Sequence, residues 1–317
     1  MGLLSKLGLP SFTRKKNREI EELKEGSQEE HEFELSSVGT YKILAPIGSG
    51  GMGTVYKALD PAKDVTIAIK VLDRRYDLDK KRRKQDYLGR EIKIAAALNH
   101  PTIIKMGKEI VIQEDNAGNL RRCLLMEYID GFNLAHYVKN ENLTLKEKLG
   151  MIIRLAEGLD FLHQNGVVHR DIKPANFLFS RDGEKAKICD FGLSKSNASW
   201  RMRFMKEAGG TRAYMSPEQL NKKSLDARSD IFSFGITMYE FFTGRHPCTG
   251  ESPKEISKQL RSSHYKFPRP SSINPEIPEK LDRIILKALR RDLDKRYQSC
   301  TEMLLDLTRL LSHTTRI

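Results

Sequence analysis

The sequence has little of what marks a secreted or membrane-spanning chain. Four cysteines occur in 317 residues, Cys123, Cys189, Cys248 and Cys300, and they stand far apart. No two have metal-ligand spacing and no disulfide framework can be drawn, so free thiols in a reducing cytosol are expected. No apolar run approaches the roughly 20 residues that span a bilayer. The opening MGLLSKLGLP is apolar only as far as Pro10 and then turns basic, unlike a signal peptide. It also fails the myristoylation pattern, because Lys6 stands where Ser or Thr is required. No internal repeat is visible. Basic clusters exist at 14–18 and at 80–84, yet no aromatic interleaving, zinc finger or RNA-binding signature accompanies them. No nucleic acid is therefore expected as the main partner, despite a net charge of +13. Anionic ligands, acidic substrates or anionic lipid account for the charge equally well.

What is present reads as a globular chain, 39% hydrophobic and 31% charged, long enough for two modest domains or one large bilobed one. Residues 1–40 are expected to be a flexible extension, running from apolar to basic to acidic, with a helix over 17–24 at most. Leu3, Leu4, Leu7 and Leu9 ahead of the basic cluster make residues 1–18 a candidate for peripheral contact with an anionic membrane. A disordered tail is the plainer reading of the same composition.

Folded structure is expected from Tyr41. β-type runs at 41–47, 54–58, 65–72, 108–113 and 120–128 predict a five-stranded sheet, and Leu88, Ile92 and Ala95 predict one helix over 79–98. After Gly131 the pattern turns helical. Thr144-Leu145-Lys146-Glu147 is a capping box, followed by an apolar stripe at Leu149, Ile153, Ala156 and Leu159 and by Gly166 at the helix end. Residues 230–242 are apolar on nearly every face, as in a helix buried inside a lobe. Amphipathic helices are expected over 278–291 and 297–311.

Chemistry concentrates in a few short motifs. Gly48-Ser49-Gly50-Gly51-Met52-Gly53-Thr54-Val55 lies between two strands. Alone this pattern is weak, because dinucleotide-binding folds and plain tight turns carry it too. A dinucleotide site needs a helix directly after the glycines, and here a strand follows. Such a hairpin lets backbone N–H groups approach phosphates. Lys70 ends an apolar strand, and a buried ammonium needs anionic partners; Glu91 on the following helix and nucleotide phosphates can supply them. Then come His169-Arg170-Asp171-Ile172-Lys173-Pro174-Ala175-Asn176, Asp190-Phe191-Gly192 and Met215-Ser216-Pro217-Glu218, in that order.

From about Tyr41 to Leu311 the chain resembles the eukaryotic-type (Hanks-type) Ser/Thr protein kinases. Ala95-Ala96-Ala97-Leu98-Asn99-His100-Pro101, Thr243-Gly244-Arg245-His246-Pro247 and Lys295-Arg296-Tyr297-Gln298-Ser299 make bacterial members the most similar. The resemblance implies an α+β bilobed fold, with an N-lobe over 41–128 (five-stranded antiparallel sheet plus one helix) and a mainly helical C-lobe over 129–317. It implies ATP with Mg²⁺ or Mn²⁺, transfer of the γ-phosphate to Ser/Thr hydroxyls of protein substrates, autophosphorylation and a cytoplasmic setting, and it leaves self-association open. Gly48, Ser49, Gly50, Gly51, Met52 and Gly53 would cover the phosphates. Ile47, Val55 and Ala68 would roof the adenine, Leu178 would floor it, and Met126, Glu127 and Tyr128 would form the gatekeeper and hinge. Lys70, held by Glu91, would contact the α/β-phosphates. Asp171 would accept the hydroxyl proton, Lys173 would steady the γ-phosphoryl group, and Asn176 and Asp190 would bind the metal.

The Arg-Asp-x-Lys-Pro form and Thr211 resemble the Ser/Thr class. Glu218 and Arg296 would pair to brace the substrate-binding lobe. Arg170 implies a need for an anion on the activation loop, where Glu207 stands four residues before Thr211; Ser194, Ser196 and Ser199 are alternative phosphate carriers. Two departures stand out: Ser216 replaces the commoner Ala, and the small Ala95 predicts loose packing of its helix against Phe191. Many bacterial members add a membrane helix and extracellular repeats, so the expectation here is against a receptor. A pseudokinase would break Lys70, Asp171 or Asp190, and none is broken. A small-molecule kinase is disfavoured by Thr211 and by Ser216-Pro217-Glu218.

Overall fold

The structure, a computed structural model, describes residues 35–50, 53–73, 92–138, 143–190 and 211–314. Among these, β1 (Ser37–Val38), β2 (Tyr41–Gly50), β3 (Gly53–Asp60), β4 (Val65–Leu72), β5 (Val111–Glu114) and β6 (Leu120–Glu127) form one sheet. The order is β1-β2-β3-β4-β6-β5, with every neighbouring pair antiparallel.

The first strand corrects the sequence expectation of five strands and a start at Tyr41. Leu35 and Val38 are buried with Ile43, Ala58, Ile69, Val71 and Cys123 in a core cluster of this sheet. Val38 also bridges to Asp115, and the Gly39 N–H donates to the Glu114 carbonyl at 2.8 Å. β1 thus links β2 to the far strand β5 and closes one end of the sheet. The turn after it requires glycine: Gly39 has φ +57°, and a Cβ there would lie 2.1 Å from Gln113 Oε1. Two residues are too few to display an alternating pattern, so this strand left no periodic signal.

The register places the chemistry on one face of the sheet. Val55 pairs with Lys70, and Ala68 pairs with Met126. Directly paired residues share a face, and so do positions two apart along a strand. Val55, Ala68, Lys70 and Met126 therefore project to the same side. Residues 92–97 are helical, with Ile92 and Ala95 buried. Ala95 joins the large core of the second lobe. Phe191 and Leu88 lie outside the described residues.

The chain leaves β6 at Glu127 and enters a body that is helical, with an addition the sequence did not predict. β7 (Gly131–Asn133), β8 (Phe177–Ser180) and β9 (Ala186–Ile188) form a second antiparallel sheet. Strands of three and four residues within loops escape pattern reading. The helices are α1 (Leu134–Val138), α2 (Leu145–Gln164), α3 (Pro217–Leu220), α4 (Ala227–Thr243), α5 (Pro253–Arg261), α6 (Glu279–Ala288) and α7 (Cys300–Thr314).

Helix α2 begins at a reciprocal capping box, in which the Glu147 N–H donates to Thr144 Oγ1 at 3.2 Å and the Thr144 N–H donates to Glu147 Oε2 at 2.8 Å. Gly166, with φ +70°, turns the chain just after its end. Helix α4 runs through the middle of the body. Its residues from Ser229 to Tyr239 are all buried, so it is a pedestal packed on every side, with α6 and α7 against it.

Candidate active site

The residues of the His169–Asn176 segment are fixed from beneath by Asp230, an acid near the start of α4. Its Oδ2 accepts the His169 N–H at 2.6 Å, and its Oδ1 accepts the Arg170 N–H at 2.7 Å. His163 Nε2 on α2 lies 3.0 Å from the same Oδ2. Burial alone would raise the Asp230 carboxyl; the His163 and Arg170 donors outweigh it and hold the group below the usual carboxylate range. Arg170 is left-handed at φ +67°, a conformation that costs a non-glycine residue of order 1 kcal/mol. The two charge-assisted bonds to Asp230 offset that cost.

His169 is fully buried, and burial pushes its pKa down, so it is neutral. Its Nε2 faces the Cys189 carbonyl at 3.0 Å and must carry the proton; its Nδ1 then accepts the Asp171 N–H at 3.2 Å. One ring thus ties Asp171 to the end of β9. The next residue, Asp190, is also left-handed, at φ +61°. Burial raises the Cys189 thiol well above its ordinary value.

Around Asp171 the functional groups converge. Lys173 Nζ lies 3.1 Å from Asp171 Oδ2. Asn176 Nδ2 donates to the Asp171 carbonyl at 2.7 Å and to its Oδ2 at 3.0 Å. The amide nitrogen being so used, Asn176 offers its Oδ1 as an acceptor. Across the cleft Lys70, with 5% of its surface exposed, places Nζ 2.6 Å from Asp190 Oδ1. Glu91, expected as the partner of Lys70, lies outside the described residues.

Two observations test whether a nucleotide and a divalent cation fit. Among the described residues a Cβ added at Gly48 or at Gly50 would meet nothing within 4 Å, so packing among them does not require glycine there. Open space at both positions leaves room for a ligand to approach the backbone. Gly53 differs: it has φ +138°, and a Cβ would lie 2.0 Å from the Val71 carbonyl oxygen. For the cation, the Asp190 carboxylate and the Asn176 amide oxygen are hard donors suited to Mg²⁺ or Mn²⁺. Among the described residues no cluster of three His, Cys, Asp or Glu could hold a metal by itself. The remaining ligands would come from phosphate and water, which is how Mg²⁺ usually binds at nucleotide sites.

Ile47 sits where β2 shifts register and is half exposed, while Ala68 is buried and Val55 and Leu178 are partly so. Ser49 continues β2 opposite Thr54. Gly51 and Met52 lie outside the described residues. Met126 pairs with Ala68, on the same face of the sheet as Lys70. The Glu127 side chain is held by other partners: Oε1 accepts the Lys105 N–H at 2.6 Å and pairs with the buried Lys187 Nζ at 2.7 Å. Lys187 donates as well to the Ile103 carbonyl at 3.1 Å. Tyr128 lies beneath Lys57, whose Nζ is 4.9 Å from the ring centre.

Farther out, Arg296 and Glu218 form a buried pair, with Nη1 to Oε1 at 2.7 Å and Nη2 to Oε2 at 3.3 Å. Burial would raise the Glu218 carboxyl, but Arg296 outweighs it and holds it low. Ser229 Oγ donates to Glu218 Oε1 at 2.8 Å, and Arg296 also serves the Arg228 and Arg290 carbonyls. Ser216, the departure noted above, caps α3 by accepting the Gln219 N–H at 3.3 Å. Gln219 Nε2 in turn donates to the Arg170 carbonyl at 2.9 Å. Thr211 opens the turn Thr211–Tyr214. Glu207 and the three serines Ser194, Ser196 and Ser199 lie outside the described residues. Sequence reasoning placed His169 in its motif without a role and missed Asp230, His163 and Lys187; the signal available for Asp230 was an acid inside an otherwise apolar helix.

Residues 41–307 match the protein kinase domain family. The chain belongs to it. It is 38% identical over 85% of its length to a probable serine/threonine-protein kinase of Streptomyces coelicolor, and likewise to the serine/threonine-protein kinase PknB of Mycobacterium tuberculosis. It is 34% identical over 85% of its length to the serine/threonine-protein kinase PrkC of Bacillus subtilis. These matches span 39%, 42% and 40% of the relatives, so the chain covers about two fifths of their length. In fold it resembles the crystallised PknI kinase domain of M. tuberculosis, with a TM-score of 0.63 at 24% identity, covering 86% of this chain and 97% of that one. The kinase resemblance to bacterial members and the α+β fold thus hold. No helix among the described residues is long and apolar enough to cross a membrane.

Proposed function

We propose that the chain is an ATP-dependent protein Ser/Thr kinase that acts on protein substrates and on itself. The observation that carries this reading is the convergence of Lys70, Asp171, Lys173, Asn176 and Asp190 on one cleft. Lys70 orients the α/β-phosphates. Asp171 takes the proton from the substrate hydroxyl as its oxygen attacks the γ-phosphorus. A P–O bond to the substrate forms, the bond from the γ-phosphorus to the β–γ bridging oxygen breaks, and ADP leaves. Lys173, close to the same carboxylate, neutralises charge on the phosphoryl group in transit. Asn176 holds Asp171 through its amide nitrogen and offers oxygen to a metal beside Asp190. A bound Mg²⁺ or Mn²⁺ would neutralise phosphate charge. Little covalent work falls to the protein, so placement and charge do most of it.

The placement of Asp171 supports the reading further, since the Asp230 and His169 bonds hold the backbone at 169–171 while Lys173 and Asn176 hold the carboxylate. The resemblance to named Ser/Thr kinases and the Asp-x-Lys-Pro form support Ser and Thr over Tyr. A cytoplasmic setting is proposed on the same likeness and on the free cysteines. The test is incubation with γ-labelled ATP and Mg²⁺, followed by mapping of phosphosites by mass spectrometry. Label on Ser and Thr is expected; no transfer to the chain or to a panel of proteins would overturn the proposal.

A further inference from the structure

The connection after α4 contains a histidine that nothing in the phosphoryl-transfer chemistry uses. We propose that His246 is a positioning residue for the protein substrate: it clasps the turn Thr211–Tyr214 and so sets the affinity for peptide but not for ATP. This rests on the kinase reading of the cleft.

Gly244, left-handed at φ +71°, ends α4 and turns the chain back toward that turn. His246 Nδ1 accepts the Cys248 N–H at 3.1 Å, which fixes the ring. The proton then sits on Nε2, which donates to the Ala213 carbonyl at 3.0 Å. The opposite tautomer would serve the Cys248 carbonyl, 3.3 Å from Nδ1, but would give up the Cys248 N–H bond and leave Nε2 bare against the Ala213 carbonyl at the shorter distance. The Tyr214 ring meets the imidazole edge-on, with centroids 5.9 Å apart and planes at 88°. Tyr214 Oη donates to Glu240 Oε2 at 2.5 Å. Burial first, and then the Glu240 charge, raise the Tyr214 phenol, so it remains a donor. The clasp is itself braced from behind, since Tyr265 Oη donates to the Pro247 carbonyl at 3.0 Å.

The segment so held leads directly to the reacting group. Four residues in a 3₁₀ turn have little stability of their own. This turn is pinned at one end by His246 and continues into Ser216–Gln219, which is pinned by Gln219 to the Arg170 carbonyl beside Asp171. On this proposal the peptide that brings a hydroxyl to Asp171 lies along this segment, which Gln219 holds beside that residue. Lys70 and Asp190, on the nucleotide side, share no hydrogen-bond partner with His246 among the described residues. On this proposal the two substrates are served by separate supports.

The test compares full-length His246→Ala, His246→Gln and Tyr265→Phe with the unchanged chain. The probe is a synthetic Thr peptide chosen as the unchanged chain's best substrate. Loss of one such hydrogen bond predicts a peptide KM raised about threefold to tenfold in His246→Ala, with the KM for ATP within about twofold. His246→Gln, whose amide can still donate to Ala213, should recover most of the loss. Tyr265→Phe removes the brace behind the clasp without touching Ala213 and should raise peptide KM by less than His246→Ala does. Amide exchange gives a second readout independent of turnover: His246→Ala should speed exchange at 212–215 and leave 68–71 unaltered. An unchanged peptide KM, a parallel rise in the KM for ATP, or unaltered exchange at 212–215 would each overturn the proposal. Failure of the unchanged chain to transfer phosphate would instead count against the kinase reading, and the exchange measurement would still decide the role of His246.

Discussion

Lys70 Nζ lies 2.6 Å from Asp190 Oδ1, although 120 residues of chain separate them. The contact joins the sheet of the first lobe to the end of β9 in the second. It also sets a cation and a proposed metal ligand against each other at the point where phosphates would enter.

Replacing Lys70 by Met, or Asp171 by Asn, is expected to remove most phosphoryl transfer while leaving the thermal midpoint near that of the unchanged chain. Loss of an acid–base or orienting group typically costs about 10²–10⁴ in rate. Steady-state transfer to a peptide, measured beside a melt, checks both. Near-normal turnover by a folded variant would sink the site assignment.

Asn176 acts twice, as a brace for Asp171 and as a proposed oxygen ligand. Asn176→Ala should therefore lower kcat and also shift the Mg²⁺ dependence to higher concentration. Titrating Mg²⁺ at saturating ATP separates the two effects. Excess EDTA should abolish activity in every version of the chain.

The buried pair of Glu218 and Arg296 predicts an asymmetry in stability. Glu218→Ala leaves the Arg296 cation buried without its counter-charge and should cost about 3–5 kcal/mol. Glu218→Gln with Arg296→Met removes both charges and should cost less. Urea unfolding of the three chains tests the order, and equal losses would refute it.

His169 predicts the direction of acid sensitivity. Its folded pKa lies below the unfolded value of 6.5, because burial resists the charge. Between the two values the unfolded chain binds more protons, so stability rises with pH there. Stability is expected to fall as pH drops below about 6.5. Glu218 and Asp230, also lowered, add to the loss at still lower pH. Melts from pH 8 to 5 should show a shallower slope between 6.5 and 5 for His169→Gln.

The first strand makes the last prediction. Leu35→Ala and Val38→Ala in the full chain remove buried contacts from the small core of the sheet, where whole side chains contribute about 1.5–3 kcal/mol each. Both should lower the thermal midpoint, and Thr40→Ala, at an exposed turn position, should not.

The side chains of the cleft were legible in the sequence because each stands in a short motif with fixed spacing, and the long helices were legible from capping and periodicity. Helix α2 could be placed from Thr144, Glu147 and the apolar stripe. The supports were not legible. Asp230 acts on residues 60 and 61 positions away, and Lys187 reaches Ile103 across 84. Such contacts carry no local pattern. The short strands β1, β7, β8 and β9 were lost for a related reason, since their pairing partners and not their own periodicity define them.

The closure of the sheet at Val38 and Asp115 has a mechanical side. β2 runs from Tyr41, beside that closure, to Gly50 at the far end. The tie leaves the proposed nucleotide loop at the end of β2 farthest from it, so the anchor of the sheet and the edge proposed to meet phosphates are separated by the full length of one strand.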